Sequence, residues 1–203
     1  MLRFTLLSAV LVIAGCGTSE TKVDDSNTFK DSRDGNVYTL TTDAGGRVWF
    51  STDLNHLESA TVKHSANGVD MAMYSWNDAM NACPEGWRLP TRADFRNMLD
   101  QFPDGDDEGA DNAAEAFVGL YESDTTRFNL FGMYVLNPDG VGTPINKGAG
   151  EFGYYWTSTV GDNNKAYALR FDSNRKVAYL QTYDKRGIAN CLCIKNELQT
   201  QQP

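Results

Sequence analysis

The chain has 203 residues, 41% of them hydrophobic, which suits one globular domain with extensions, and no internal repeat or low-complexity tract is visible. Asp and Glu outnumber Lys and Arg by 27 to 18, giving a formal net charge of -9 with no basic stripe. A chain with this balance repels phosphate backbones, so nucleic acid is excluded as a partner.

Residues 1–15, MLRFTLLSAVLVIAG, run from one basic residue through about ten apolar ones to small residues ahead of Cys16. The run is too short to span a bilayer comfortably, and its flanks are those of a secretory signal peptide. Ile13-Ala14-Gly15-Cys16 resembles a bacterial lipobox, with Ile13 where leucine is commoner. Lipidation of Cys16 is therefore expected, and its acyl chains would hold the protein at a membrane. Residues 16–30 are polar and nearly free of large apolar groups, so they are expected to form a flexible tether. The folded domain is expected over 31–197, with 198–203 as a polar tail.

Within the domain, Asp34, Gly35 and Asn36 make a turn ahead of a strand at 37–41, and glycine turn chemistry at 43–46 returns the chain as a hairpin strand at 47–50. A cation could sit among Asp31, Asp34 and Asn36, although a plain aspartate-rich turn is the simpler account of them. His56 and His64 fall in an irregular stretch without a cysteine or carboxylate at ligand spacing, and so read as loop or surface residues rather than zinc ligands.

Residues 75–102 carry two helix signatures. Ser75 caps the first, Asp78 stands three residues on, and Trp76, Ala79, Met80 and Cys83 share one face at i, i+3, i+4 and i+7. Pro84, Glu85 and Gly86 end it. Thr91 and Asp94 then cap a second helix with Phe95, Met98, Leu99 and Phe102 inward.

An acidic loop follows. Asp104, Asp106, Glu108, Asn112 and Glu115 occupy positions 1, 3, 5, 9 and 12 of a calcium-loop pattern, with Gly109 at the bend. Glu108 and Asp111 depart from the usual residue types, so a solvated acidic insertion is the competing reading. Beyond it, a helix with Phe117 and Tyr121 inward and a meander of strands at 154–157, 166–171 and 177–182 complete the domain. A last strand at 189–195 places Cys191 and Cys193 on one face and Leu192 and Ile194 on the other.

CPEGWRLPT at residues 83–91, YYWTST at 154–159 and CIK at 193–195 resemble the Fibrobacter succinogenes major paralogous domain family over roughly residues 31–196. That family is similar to C-type-lectin-like and formylglycine-generating-enzyme folds. The resemblance implies an α+β, C-type-lectin-like domain with two short helices packed on twisted antiparallel strands. It also implies a disulfide between Cys83 and Cys193, as lectin-like folds join their first helix to the last strand. Cys191 is then left over, either as a reactive thiol or as a small buried hydrophobe.

These readings lead to an exported bacterial lipoprotein of the cell envelope, at the outer membrane or cell surface, held to the membrane through Cys16. Its domain is expected to be a non-catalytic module binding a glycan, an envelope component or a protein, with no cofactor unless the acidic loop holds calcium. Tyr154, Tyr155, Trp156, Tyr179 and Tyr183 are an aromatic supply for such a ligand. Two alternatives stand: an oxidative enzyme of the formylglycine-generating kind, and a purely structural envelope protein. No G-x-S-x-G, H-E-x-x-H or phosphate loop supports a hydrolase or a nucleotide-driven protein.

Overall fold

A computed structural model describes residues 27–66, 69–102, 114–121, 134–136, 142–144 and 151–197. Its first strands arise from two tight turns. β1 (Thr28–Lys30) and β2 (Val37–Thr42) flank a turn in which the Asp31 N–H donates to the Asn36 carbonyl at 2.8 Å. β3 (Val48–Phe50) returns after Asp43, whose carboxylate accepts from the Gly45 and Arg47 N–H groups. β1 occupies the last residues of the expected tether, because Phe29 has a place to go. Its ring lies 5.6 Å from Phe50 and 5.2 Å from Trp87, which recovers the ordering entropy that a polar segment could not.

β4 (Val62–Ala66) and β5 (Val69–Ser75) form the next hairpin and lead into α1 (Trp76–Ala79). Ser75 caps α1 as expected, accepting from the Asp78 N–H. The reciprocal bond differs: Thr61 Oγ1 takes the Ser75 N–H at 2.6 Å and itself donates to the Asp78 carboxylate. Since α1 is a single turn, the 3.6-residue spacing stops governing direction after Ala79. Ala79 is fully buried, but Met80, expected inward, is 41% exposed.

After β6 (Trp87–Arg88), α2 (Arg92–Leu99) follows the sequence closely, with both capping-box bonds between Thr91 and Asp94 present. Phe95, Met98 and Leu99 are buried. α3 (Ala114–Tyr121) buries Ala116, Phe117 and Leu120. It crosses Phe102 so closely that a Cβ on Gly119 would stand 2.0 Å from the Phe102 ring. Gly119→Ala should therefore lower stability by about 1 to 3 kcal/mol in chemical denaturation, despite alanine's better helix propensity. An unchanged or higher midpoint would show that the ring yields freely.

The remaining strands are β7 (Tyr134–Leu136), β8 (Gly142–Pro144), β9 (Phe152–Val160), β10 (Lys165–Asp172), β11 (Val177–Asp184), β12 (Gly187–Ala189) and β13 (Ile194–Lys195). Among the described residues they complete three sheets in the orders β1-β2-β3-β13-β6, β11-β10-β9 and β4-β5-β12-β7-β8. Every pairing between these strands is antiparallel, so the fold is α+β with few, short helices.

Residues 187–195 tie the sheets together. β12 lies between β5 and β7, and β13 lies between β3 and β6. Between them, Asn190 makes a parallel bridge to Tyr155 of β9, donating to the Tyr154 carbonyl at 2.9 Å and accepting from the Trp156 N–H at 3.1 Å. The Cys191 and Cys193 carbonyls accept from the Leu54 and Phe50 N–H groups. The single strand expected over 189–195 is thus two short ones. A segment enclosed by three sheets has no solvent face, so Leu192 and Ile194 are buried along with the cysteines, and no residue from 188 to 194 is more than 3% exposed.

Candidate functional site

The cysteines answer first. Cys83 and Cys193 form a disulfide across a Cα separation of 5.8 Å, joining the segment after α1 to the residue that leads into β13. Cys191 is a buried free thiol, and burial, helped by the Asp53 and Asp78 charges, pushes its pKa well above the ordinary thiol range. A thiol kept protonated and enclosed is a poor nucleophile, so the small buried hydrophobe is the better description. Beside it, Asp53 accepts from Tyr155 Oη at 2.8 Å and from Asn190 Nδ2 at 2.9 Å. That carboxylate stitches the loop after β3 to β9 and to residue 190.

The residues considered for a cation near the amino-terminal turn meet protein groups instead. Asp31 is fully buried and pairs with Arg33 at 2.7 Å, while Arg33 Nη1 donates to the Ala82 carbonyl at 2.8 Å. Burial opposes the Asp31 charge, but the hydrogen bonds and charge of Arg33 outweigh it and lower the pKa. Asp34 accepts from both the backbone and the side chain of Asn36.

His56 is in a loop, as expected, but inside it rather than on its surface. Its backbone N–H donates to Tyr74 Oη, Nδ1 bonds Ser59 Oγ, and Nε2 is buried without a hydrogen-bond partner among the described residues. His64 falls in β4. Among the described residues no group of three or more metal-ligating side chains occurs. Asp104, Asp106, Glu108 and Asn112 lie outside the described residues, as does Cys16, and Glu115 is exposed in the first turn of α3.

The aromatic supply divides by sheet face. On one face of β9–β11, Tyr155 meets Phe171 edge-on at 6.1 Å and Phe171 meets Phe117 of α3 at 6.2 Å, and α2 also packs against these strands. Tyr155 is therefore core. Trp156 is fully buried too, its indole N–H donating to the Tyr74 carbonyl at 2.9 Å.

The opposite face brings the other three tyrosines together around a cation that the sequence did not single out. The register sets Tyr154, Arg170 and Tyr179 in one row across the three strands, with Phe152, Asp172 and Val177 in the next row of the same face. The Arg170 guanidinium carbon lies 4.9 Å from the Phe152 ring, 5.7 Å from Tyr154 and 5.5 Å from Tyr179. Its Nη1 donates to Tyr179 Oη at 2.6 Å and its Nη2 to Asp172 Oδ2 at 3.1 Å. Small residues make this possible: Ala166 and Ala168 leave room on β10 for the Tyr154 and Tyr183 rings to meet edge-on at 5.1 Å. Burial pulls the Arg170 pKa down, but the Tyr154, Tyr183 and Tyr179 oxygens and Asp172 more than restore it, so the cation is secure. Burial, reinforced by Tyr154, pushes Tyr183 far up and keeps its phenol neutral. The available signal was an arginine in phase with two alanines on a strand whose neighbours supply tyrosines; period-2 alternation alone gives it no meaning.

A disulfide-closed α+β domain of three antiparallel sheets and short capped helices is the class of protein this fold defines. The chain belongs to the Fibrobacter succinogenes major domain family, whose profile matches residues 18–195. No curated protein and no solved structure matches it.

Proposed function

We propose that this protein is an exported envelope lipoprotein, anchored through Cys16, whose C-type-lectin-like domain is a non-catalytic module binding a glycan, an envelope component or a protein. The observation that carries this reading is the pairing of Cys193 with Cys83 rather than with Cys191. In the competing oxidative enzyme a cysteine pair near the carboxyl terminus does the chemistry; here one member closes the scaffold and the other is enclosed as a protonated thiol. Joining the segment that follows α1 to the chain just before the last strand also resembles the linkage expected of a lectin-like scaffold, where ligand specificity resides in surface residues rather than in the fold.

Cys16→Ser is expected to abolish acyl labelling and move the protein to the soluble fraction. Full membrane recovery of the variant would overturn the anchor. The same unlipidated chain then tests the module, in glycan-array and envelope pull-down binding with and without calcium. Specific capture supports a binding module; oxygen consumption coupled to oxidation of a thiol substrate would favour the enzyme instead.

A further inference from the structure

We infer that the Cys83–Cys193 bridge is a redox lock on residues 187–195: the domain stays closed where the bridge is oxidised and opens readily where it is reduced. Its cellular meaning, a chain that stays open in a reducing compartment and closes after export, rests on the export reading above. The place of the segment shows why one bond can act as a lock. Without β12 the sheet β4-β5-β12-β7-β8 separates into two hairpins, and without β13 the sheet β1-β2-β3-β13-β6 loses β6, a strand of two residues. Isolated hairpins are marginal in water. The β9–β11 meander would remain, but Asn190 would leave its bridge to Tyr155. The partners are distant in sequence: Ile194 pairs with Trp49 and Arg88, and Ile188 with Ser75 and Tyr134. Docking this segment therefore closes several long loops at once, the step at which the cost in chain entropy is largest. No charged side chain occurs from 187 to 194, so no ion pair of its own fastens it.

The bridge is open to exchange at one end. Cys83 is half-buried and precedes exposed Glu85 and Gly86 by two and three residues, whereas Cys193 is fully enclosed. A dithiol reductant puts its thiolate on Cys83 Sγ, the S–S bond breaks, and Cys193 leaves as a thiolate that takes up a proton. The reductant's second thiol then frees Cys83 as a thiol, and the reductant ends as a disulfide. Closing the lock is the reverse, with a disulfide-bearing oxidant taking the two electrons and two protons. Cytosolic thiols are kept reduced and exported chains meet oxidants, so crossing that boundary sets the lock.

The test uses the unlipidated Cys16→Ser chain, equilibrated in glutathione buffers from oxidising to reducing. Alkylation mass shift reads the bridge, and a pulse of thermolysin reads opening. The two should titrate together, with the fully reduced chain cleaved at least about a hundredfold faster than the oxidised one. Cys83→Ser in this chain should be cleaved at the fast rate at every ratio, and Cys191→Ala should leave the transition where it was. A reduced chain as resistant as the oxidised one, or a resistant Cys83→Ser, would overturn the lock. For the cellular part, a chain without residues 1–15 is expressed in bacterial cytoplasm, where it should be reduced and cleaved at the fast rate by the same pulse. A reduced, resistant chain there would overturn the inference too. Recovery of the parent protein in the cytoplasm, with the titration in vitro intact, would overturn export and leave the lock standing.

Discussion

Cys193→Ser is expected to lower the stability of the domain by about 4 to 5 kcal/mol, the loop-entropy value for a crosslink enclosing a span of this length. The bond joins residues 110 apart in sequence, so its loss returns that much chain to the unfolded ensemble. The native state suffers as well. Cys193 is fully buried and its carbonyl carries the Phe50 N–H, in the segment through which all three sheets meet. A hydroxyl placed there without a partner adds a desolvation cost of about 1 to 3 kcal/mol. Cys83→Ser isolates the crosslink, because Cys83 is only partly buried and a serine there stays wetter. Cys191→Ala is the control: it removes one buried sulfur and no bond, and should cost far less than either. Urea unfolding of the three variants without reductant decides the matter. Equal losses for Cys191→Ala and Cys83→Ser would mean that the crosslink contributes little.

Much of this architecture could be read from local signals, because those signals are themselves local bonds. The Thr91 and Asp94 box needs only residues three apart, and the β9–β10–β11 meander needs only alternation and turns. The sequence failed where the decisive neighbour is far away. Phe29 looks like part of a polar tether until Phe50 and Trp87 arrive beside it, and alternation puts Leu192 and Ile194 on one face of a single strand without showing that three sheets close around both faces. Met80 fits a helical stripe that a one-turn helix cannot sustain. The site was least legible of all. Tyr154, Tyr179 and Tyr183 stood out as aromatics, but their meeting over Ala166 and Ala168 and around Arg170 is a property of strand register.

The second large effect belongs to Asp94, and it joins the family-like RLPT segment to the physics of the fold. Asp94 accepts from the Thr91 N–H and Oγ1, both at 2.7 Å, and from Arg88 Nη1 at 2.6 Å, while Arg47 Nη1 approaches to 3.6 Å. One carboxylate thereby caps α2, fixes β6 through Arg88, and holds the β2–β3 hairpin through Arg47. Asp94→Ala should cost about 3 kcal/mol at neutral pH. That is the low end for breaking a buried ion pair, because the Arg88 side chain is 34% exposed and water takes over part of its solvation. The pH dependence separates charge from packing. Burial works to raise the Asp94 pKa, but the hydrogen bonds and charge of Arg88, with the Thr91 hydrogen bonds, bring it below the unfolded value of 3.8. Asp31 and Asp43 are depressed likewise. A depressed carboxylate stabilises the fold fully above its unfolded pKa and loses that contribution as pH falls through the folded one, since the unfolded chain then binds more protons. Acid should therefore destabilise the protein below about pH 4, and Asp94→Asn should show a shallower acid limb. Measured by urea unfolding, the gap between the parent chain and Asp94→Asn should be widest near neutrality and close progressively on acidification. A gap of constant size across that range would mean that Asp94 acts through its shape and hydrogen bonds, with no net contribution from its charge.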